Sequence, residues 1–168
     1  IIFFDKTGLL DMELTQSKVS ACLSQHPYAV IPGFYGTDCE GQIKTFSRGG
    51  SDITGAIVAR GVNADIYENW TDVSGFLMAD PRIVPNPKPI EKITYRELRE
   101  LAYMGATVLH EESIFPVRQA GIPINIKNTN APEHPGTLIV NDADPVTQTG
   151  TITGIAGRKD FTVITVEK

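Results

Sequence analysis

Apolar residues fall at helical spacing in several stretches of this chain and cluster into short β-type runs between them. Ile1 to Phe4 is a compact apolar run, which predicts a buried strand. From Thr15 to His26, Val19, Cys22 and Leu23 share one helical face, and Pro27 blocks continuation. Tyr28 to Tyr35 is aromatic and β-branched but broken by Pro32-Gly33, so it reads as a strand opening into a loop. "GTDCEGQ", Gly36 to Gln42, carries the residues of a turn joining two short strands. Ile53 to Val62 repeats apolar positions at Ile53, Ala56 and Ile57 and predicts a helix. A strand over "ADIYENW", Ala64 to Trp70, follows it.

Between Thr71 and Lys92 the periodicity stops. Pro81, Pro85, Pro87 and Pro89 mark a long surface excursion of the kind that often carries function. Helical spacing returns in "TYRELRELAYMGATVLH", where Thr94 and Glu97 make a capping box and Leu98, Leu101, Ala102 and Leu109 give the stripe to be buried. Ser113 to Ala120 predicts another helix, ended by Gly121-Ile122-Pro123. "INIKN" and "TLIV" read as strands around a polar loop, Thr129 to Gly136. Asn141 to Gly150 is a linker by composition. Beyond it, "TITGIAGRKDFTVITVEK" holds two β-rich runs around a Gly-Arg-Lys-Asp turn. Helices alternating with strands ahead of the linker predict an α/β layered domain, a sheet with helices on both faces.

A net charge of −5 argues against a nucleic-acid partner. No apolar run approaches the length of a membrane span, and no basic region precedes "IIFF" as it would in a secretory signal. Cys22 and Cys39 form neither a metal pattern nor a disulfide framework, and His26, His110 and His134 lack ligand spacing. These features predict a cytoplasmic protein with reduced cysteines. The start at Ile1, inside an apolar run, predicts a piece of a longer protein.

Three segments carry candidate chemistry. In "SRGGSD", Gly49-Gly50 lets the backbone approach a ligand, Ser51 is a candidate N-cap for the helix behind it, Arg48 can fork onto a carboxylate or phosphate, and Asp52 can meet an ammonium group or cation. Taken alone, a capped Gly-Gly turn with Arg48 in solvent is the simpler account, and the P-loop spacing is absent. "WTDVSGFLMADPRIVP" begins where a strand ends, the usual ligand position in an open α/β sheet. Thr71 and Asp72 offer groups for a base or ribose and Arg82 a guanidinium for phosphate. The alternative is a connection in which Asp80 and Arg82 merely pair on the surface. In "MGATVLHE", Gly105 and Thr107 could line a nucleotide pocket, against the stronger reading of a helix end with a packing glycine.

In this order, "GFYG", "TFSRGGSDITGA", "WTDVSGFLMADPRIVP", "ELAYMGATVLH" and "IPINIKNTNAPEHPGTLI" resemble the amino-acid kinase family, and within it the aspartate kinases (aspartokinases), over about Pro32 to Val140. The Arg-Gly-Gly-Ser-Asp element and the Asn-Thr…Pro-Gly-Thr ending single out the aspartate kinases; at "TDVSGFLMADPR" related kinases of glutamate, acetylglutamate or uridylate carry similar turns. The resemblance implies a three-layer α/β sandwich of the amino-acid kinase (carbamate kinase-like) type, present in part. Residues 1–142 would form the nucleotide-binding part of the kinase domain, and residues 143–168 a linker with the first strands of a truncated ACT regulatory domain. It implies transfer of phosphate from ATP, with Mg²⁺, to the side-chain carboxylate of aspartate. The product is 4-phospho-L-aspartate, at the entry to lysine, threonine and methionine synthesis. By position, Phe34, Arg48, Gly49, Gly50, Ser51 and Asp52 would contact aspartate, with Arg48 its carboxylate partner. Thr71, Asp72, Leu77, Arg82, Thr107 and Val108 would contact the nucleotide. Leu77 stands where relatives often have tyrosine, and Thr107 where many have lysine. The family's Lys-Phe-Gly-Gly segment, with its catalytic lysine, is not in this sequence, so the chain alone is expected to be inactive. Homo-oligomers through ACT domains would be the family's assembly. A non-catalytic small-molecule-binding module of the same fold, or a superfamily kinase with another acceptor, are the other readings.

Overall fold

The first helix starts on a carboxylate. Asp11 accepts a hydrogen bond from the Leu14 N–H (3.0 Å) and caps α1, Met12–Leu23, ahead of the expected start at Thr15. In this computed structural model, residues 1–103, 109, 111–141 and 152–157 are described. Thr15 and Val19 are the buried positions of α1; Cys22 is exposed and Leu23 half-buried, so the expected apolar face narrows to Val19. Ile2 and Phe4 are buried as expected, but their segment forms only isolated bridges, Phe3 with Thr37 and Phe4 with Leu10, instead of a strand.

Of the expected strand over Tyr28 to Tyr35, only its last residue pairs. Pro27 and Pro32 remove backbone donors, and Tyr28 to Val30 lie in solvent, Tyr28 at 93% and Val30 at 100% exposure. Pairing begins only at β1, Tyr35–Thr37, antiparallel to β2, Ile43–Thr45. The intervening turn is organised by Asp38, whose carboxylate accepts from the N–H groups of Glu40 and Gln42, both at 2.9 Å.

Then follow α2 (Gly50–Gly61), β3 (Tyr67–Thr71), β4 (Lys92–Thr94), α3 (Tyr95–Tyr103), α4 (Glu111–Ala120), β5 (Ile124–Asn128) and β6 (Thr137–Val140). The Thr94–Glu97 capping box forms at the start of α3. The Thr94 N–H donates to the Glu97 carboxylate (3.0 Å) and the Glu97 N–H to the Thr94 hydroxyl (3.2 Å). Four strands make one sheet in the order β3-β5-β6-β4. The outer pairs are parallel and the central β5–β6 pair antiparallel.

Register places Tyr67, Asn69, Ile124, Ile126, Ile139, Thr137 and Ile93 on one face. The isoleucines there are fully buried and share a core with Ala56 and Ala59 of α2, Leu98 of α3, and Ile114 and Val117 of α4. At about 25 cal/mol per Å² of apolar surface removed from water, this cluster is the main source of stability. The opposite face carries Glu68, Trp70, Asn125, Lys127 and Leu138, exposed or half-buried, with the Lys127 ammonium 5.4 Å from the Trp70 ring. The helix α1 packs on α2 through Gly61, where a Cβ would collide with Val19, and through a bond from the Gln16 amide to the Ile57 carbonyl (3.1 Å).

The expected linker and regulatory-domain strands, residues 143–168, lie outside the described residues except for 152–157. That segment docks back on the domain. The Thr153 hydroxyl donates to Glu97 (2.6 Å) and the Ile155 N–H to the Met78 carbonyl (2.7 Å). No described helix is long and apolar enough to cross a membrane.

Candidate functional site

The Arg48–Asp52 segment is shaped by its two glycines. Gly49 takes the left-handed conformation (φ 62°) at the N-cap, and α2 begins at Gly50. Ser51 therefore sits in the first turn, exposed, and does not cap the helix as the sequence suggested: the turn needs a residue with positive φ at the cap, and Gly49 supplies it. Gly50 is closely enclosed, since a Cβ there would come within 2.8 Å of the Phe34 ring and of Phe46. Phe34 is itself held at positive φ (79°). Its N–H donates to the Thr54 hydroxyl (3.1 Å), and that hydroxyl donates to the Gly50 carbonyl (2.6 Å). Phe34, Gly49, Gly50, Ser51 and Asp52 are thus one local structure. Arg48 is exposed at its edge. The first-turn N–H groups of α2 lack intrahelical acceptors and, with the helix dipole, favour an anion.

The second region lies beyond the carboxyl ends of β3 and β5. A cavity of about 800 Å³ is lined there by Asp72–Leu77, Ala79–Arg82, Pro89, Asn128, His134 and Ile155–Gly157, among others. The strand ends beside it are joined by hydrogen bonds to the "NTNAPEHPGT" stretch. Thr129 donates to the Thr71 carbonyl through its N–H (2.8 Å) and hydroxyl (3.0 Å), and the Asn128 amide donates to Ser74 (2.8 Å). Buried Thr137 ties both ends of the excursion to β6, accepting from the Phe76 N–H (2.8 Å) and donating to the Ile90 carbonyl (2.5 Å). Gly75, at φ 105°, lies so close that a Cβ would collide with that hydroxyl.

Arg82 faces the cavity but is bound to Asp80. Its Nε is 3.0 and 3.1 Å from the two carboxylate oxygens, and its Nη2 donates at 2.6 Å. The surface-pair alternative is therefore formed, on a residue that also lines the cavity. These bonds, then the Arg82 N–H and the guanidinium charge, lower the Asp80 pKa to about 2. The folded value is depressed, so the pair's small contribution is present above the ordinary carboxylate pKa and lost as pH falls through about 2. A carboxyl NMR titration should find that midpoint near 2. In Arg82→Ala it should return towards the ordinary 3.8; an unmoved midpoint would exclude Arg82 as the cause.

Strand β3 is tied to the first region at Asp52. Its carboxylate accepts from the Asn69 amide (3.0 Å) on β3, two positions before Thr71. Asp72 and Leu77 line the cavity with Arg82. Thr71 is at its edge, its hydroxyl donating to Asp72 (3.2 Å). Thr107 and Val108 lie outside the described residues, as do Gly105 and His110. Among the described residues no group of three or more His, Cys, Asp or Glu could hold a metal. The motifs assign no site role to Asn69 or Ile155–Gly157, nor to Asn128, Thr129 and Thr137, which enter only as the Asn-Thr…Pro-Gly-Thr ending. Asn69 carries no signal of its own: alternation in "ADIYENW" sets Ile66 and Trp70 on the apolar face and Asn69 on the other.

Residues 9–128 match the model of the amino acid kinase family. The chain is 48% identical to aspartokinase 3 of Bacillus subtilis over 139 residues, which is 83% of this chain and 30% of that protein. It is similar to the crystal structure of the aspartate kinase of Clostridium acetobutylicum, with a TM-score of 0.88 and 65% identity over 93% of this chain and 36% of the other. It is also similar to E. coli aspartokinase III in complex with aspartate and ADP, with a TM-score of 0.72 and 30% identity over 86% and 34% of the two chains. The chain thus spans about a third of the length of the relatives it matches.

Proposed function

The chain belongs to the amino acid kinase family, and from that premise we propose that it is the nucleotide-binding part of an aspartate kinase. The protein containing it would transfer the terminal phosphoryl group of ATP to the side-chain carboxylate of aspartate. The observation that carries this reading is the tie between Asp52 and Asn69, which joins the Arg48–Asp52 segment to the strand feeding the 800 Å³ cavity.

In this reading Arg48 pairs with an aspartate carboxylate, Ser51 and the first-turn N–H groups of α2 hold the acceptor, and Asp52 neighbours its ammonium group. Thr71, Asp72 and Leu77 contact the adenosine, with Thr107 and Val108 as further contacts, and Arg82 turns to the phosphates. An oxygen of the acceptor carboxylate attacks the terminal phosphorus as the bond to the ADP oxygen breaks. The protein's part is alignment and charge neutralisation, which dominate catalysis of phosphoryl transfer. Mg²⁺ would enter on the phosphate oxygens, which suits a site without a carboxylate cage, and would neutralise their charge.

The product, 4-phospho-L-aspartate, would feed lysine, threonine and methionine synthesis. Residues 143–168 would begin an ACT regulatory domain through which the protein assembles as a homo-oligomer. The 168-residue chain by itself would be inactive, because the family's Lys-Phe-Gly-Gly segment is not within it. The test is an ADP-release assay on the complete protein with ATP and a panel of acceptors. Turnover with aspartate is expected. Turnover only with glutamate, acetylglutamate or uridylate rejects the acceptor assignment, and absence of turnover with any acceptor rejects the kinase reading.

A further inference from the structure

Asn69 is buried on the core face of β3, at a position where an apolar residue would ordinarily be expected. Its amide nitrogen donates to Asp52 Oδ1 and to the Tyr67 hydroxyl, both at 3.0 Å. A carboxylate only accepts, so Asp52 fixes the orientation of the amide, with the nitrogen towards α2. The Tyr67 hydroxyl in turn donates to the Asp52 carbonyl (3.4 Å). Burial first, and Asp52 beside it, raise the Tyr67 pKa against the opposing bond from Asn69, which keeps the phenol a neutral donor.

Gly55 makes this arrangement possible. It occupies the middle of α2, where glycine costs about 1 kcal/mol relative to alanine. A Cβ there would come within 2.5 Å of the Tyr67 hydroxyl and 2.8 Å of its ring. Tyr67 is therefore held by close packing as well as by hydrogen bonds. An unpaired carboxylate on a first helical turn would be free to change rotamer; this one has its side chain and its backbone carbonyl both engaged from β3.

We infer that Asn69 is a positioning residue that acts through Asp52, setting its carboxylate for the acceptor. The inference rests on the aspartate-kinase reading and adds a residue to it. Asn69 lies on the strand that ends in the nucleotide segment, so general damage to the strand would reach Thr71 and Asp72 and weaken ATP. An effect exerted through Asp52 would weaken aspartate instead.

The experiment is steady-state kinetics of the complete protein with Asn69→Leu and Asn69→Asp, varying aspartate and ATP separately. Asn69→Leu removes the donor with little change in volume. Asn69→Asp keeps the shape and replaces the donor with a like charge, and it decides the matter if the leucine variant fails to fold. The expected result is an aspartate KM raised roughly tenfold or more, as for loss of a hydrogen bond to a charged group, with the ATP KM within about twofold. An ATP KM raised as much as that for aspartate, or an aspartate KM unchanged in a folded variant, overturns the inference while leaving the kinase reading intact. A wild-type protein that does not phosphorylate aspartate overturns the reading itself, and the role of Asn69 falls with it.

Discussion

Arg48→Ala should raise the aspartate KM of the complete protein by roughly thirtyfold and leave the ATP KM almost unchanged. The magnitude is that of one hydrogen-bonded charge pair, about 2 kcal/mol. Selectivity follows from position. Arg48 is exposed on the Gly49-Gly50 side of α2, and it is absent from the residues lining the cavity that receives the nucleotide in this reading. Nothing in the core depends on it, so the thermal midpoint should not move, and a fall in KM selectivity cannot be blamed on misfolding. Equal losses for the two substrates would remove Arg48 from the acceptor site. Arg48→Lys should recover only part of the loss, because an ammonium replaces the planar fork by a single point of charge.

Thr137→Val should destabilise the fold by about 2–4 kcal/mol and weaken nucleotide binding with it. Valine nearly matches threonine in shape, so the cost comes from the hydroxyl and not from a cavity. Thr137 is fully buried, and Phe76 and Ile90 are 3% and 5% exposed. The Phe76 N–H would lose its acceptor and the Ile90 carbonyl one donor, with little water to replace them. Both groups belong to the excursion that walls the cavity, so its two ends would loosen from β6 together. Thermal unfolding and an ATP titration measure the two effects. An unchanged midpoint with unchanged ATP affinity would show that the hydroxyl is dispensable, and an unchanged midpoint with lost ATP binding would assign Thr137 to the ligand directly.

The elements legible in the sequence are those with a local cause. "INIKN" and "TLIV" form strands with the expected bounds, because bulky β-branched residues sit between Gly/Pro turns. The Thr94–Glu97 box and the Asp38 turn also rest on residues a few positions apart. Tyr28 to Ile31 misled because β-propensity needs a neighbouring strand, and pairing with β2 reaches back only to Tyr35. Ser51 misled because cap preference alone does not register a glycine already in the left-handed conformation one step earlier. At the site, motif spacing found the loop and the cavity wall. It did not find Asn69, and it found Thr129 and Thr137 only as a signature, because the contacts of all three are with partners far along the chain.

The strand order also carries a consequence for how the molecule assembles. The central pair, β5 with β6, is separated only by residues 129–136, while joining β3 to β5 must close residues 72–123. If both intervening stretches were flexible, the longer closure would cost about 1.5 kcal/mol more in chain entropy. The hairpin at the middle of the sheet is therefore the economical place to nucleate, and the edge strands add outwards. The cavity straddles β3 and β5, so its shape is completed late, when the distant first half of the chain docks on a centre already formed.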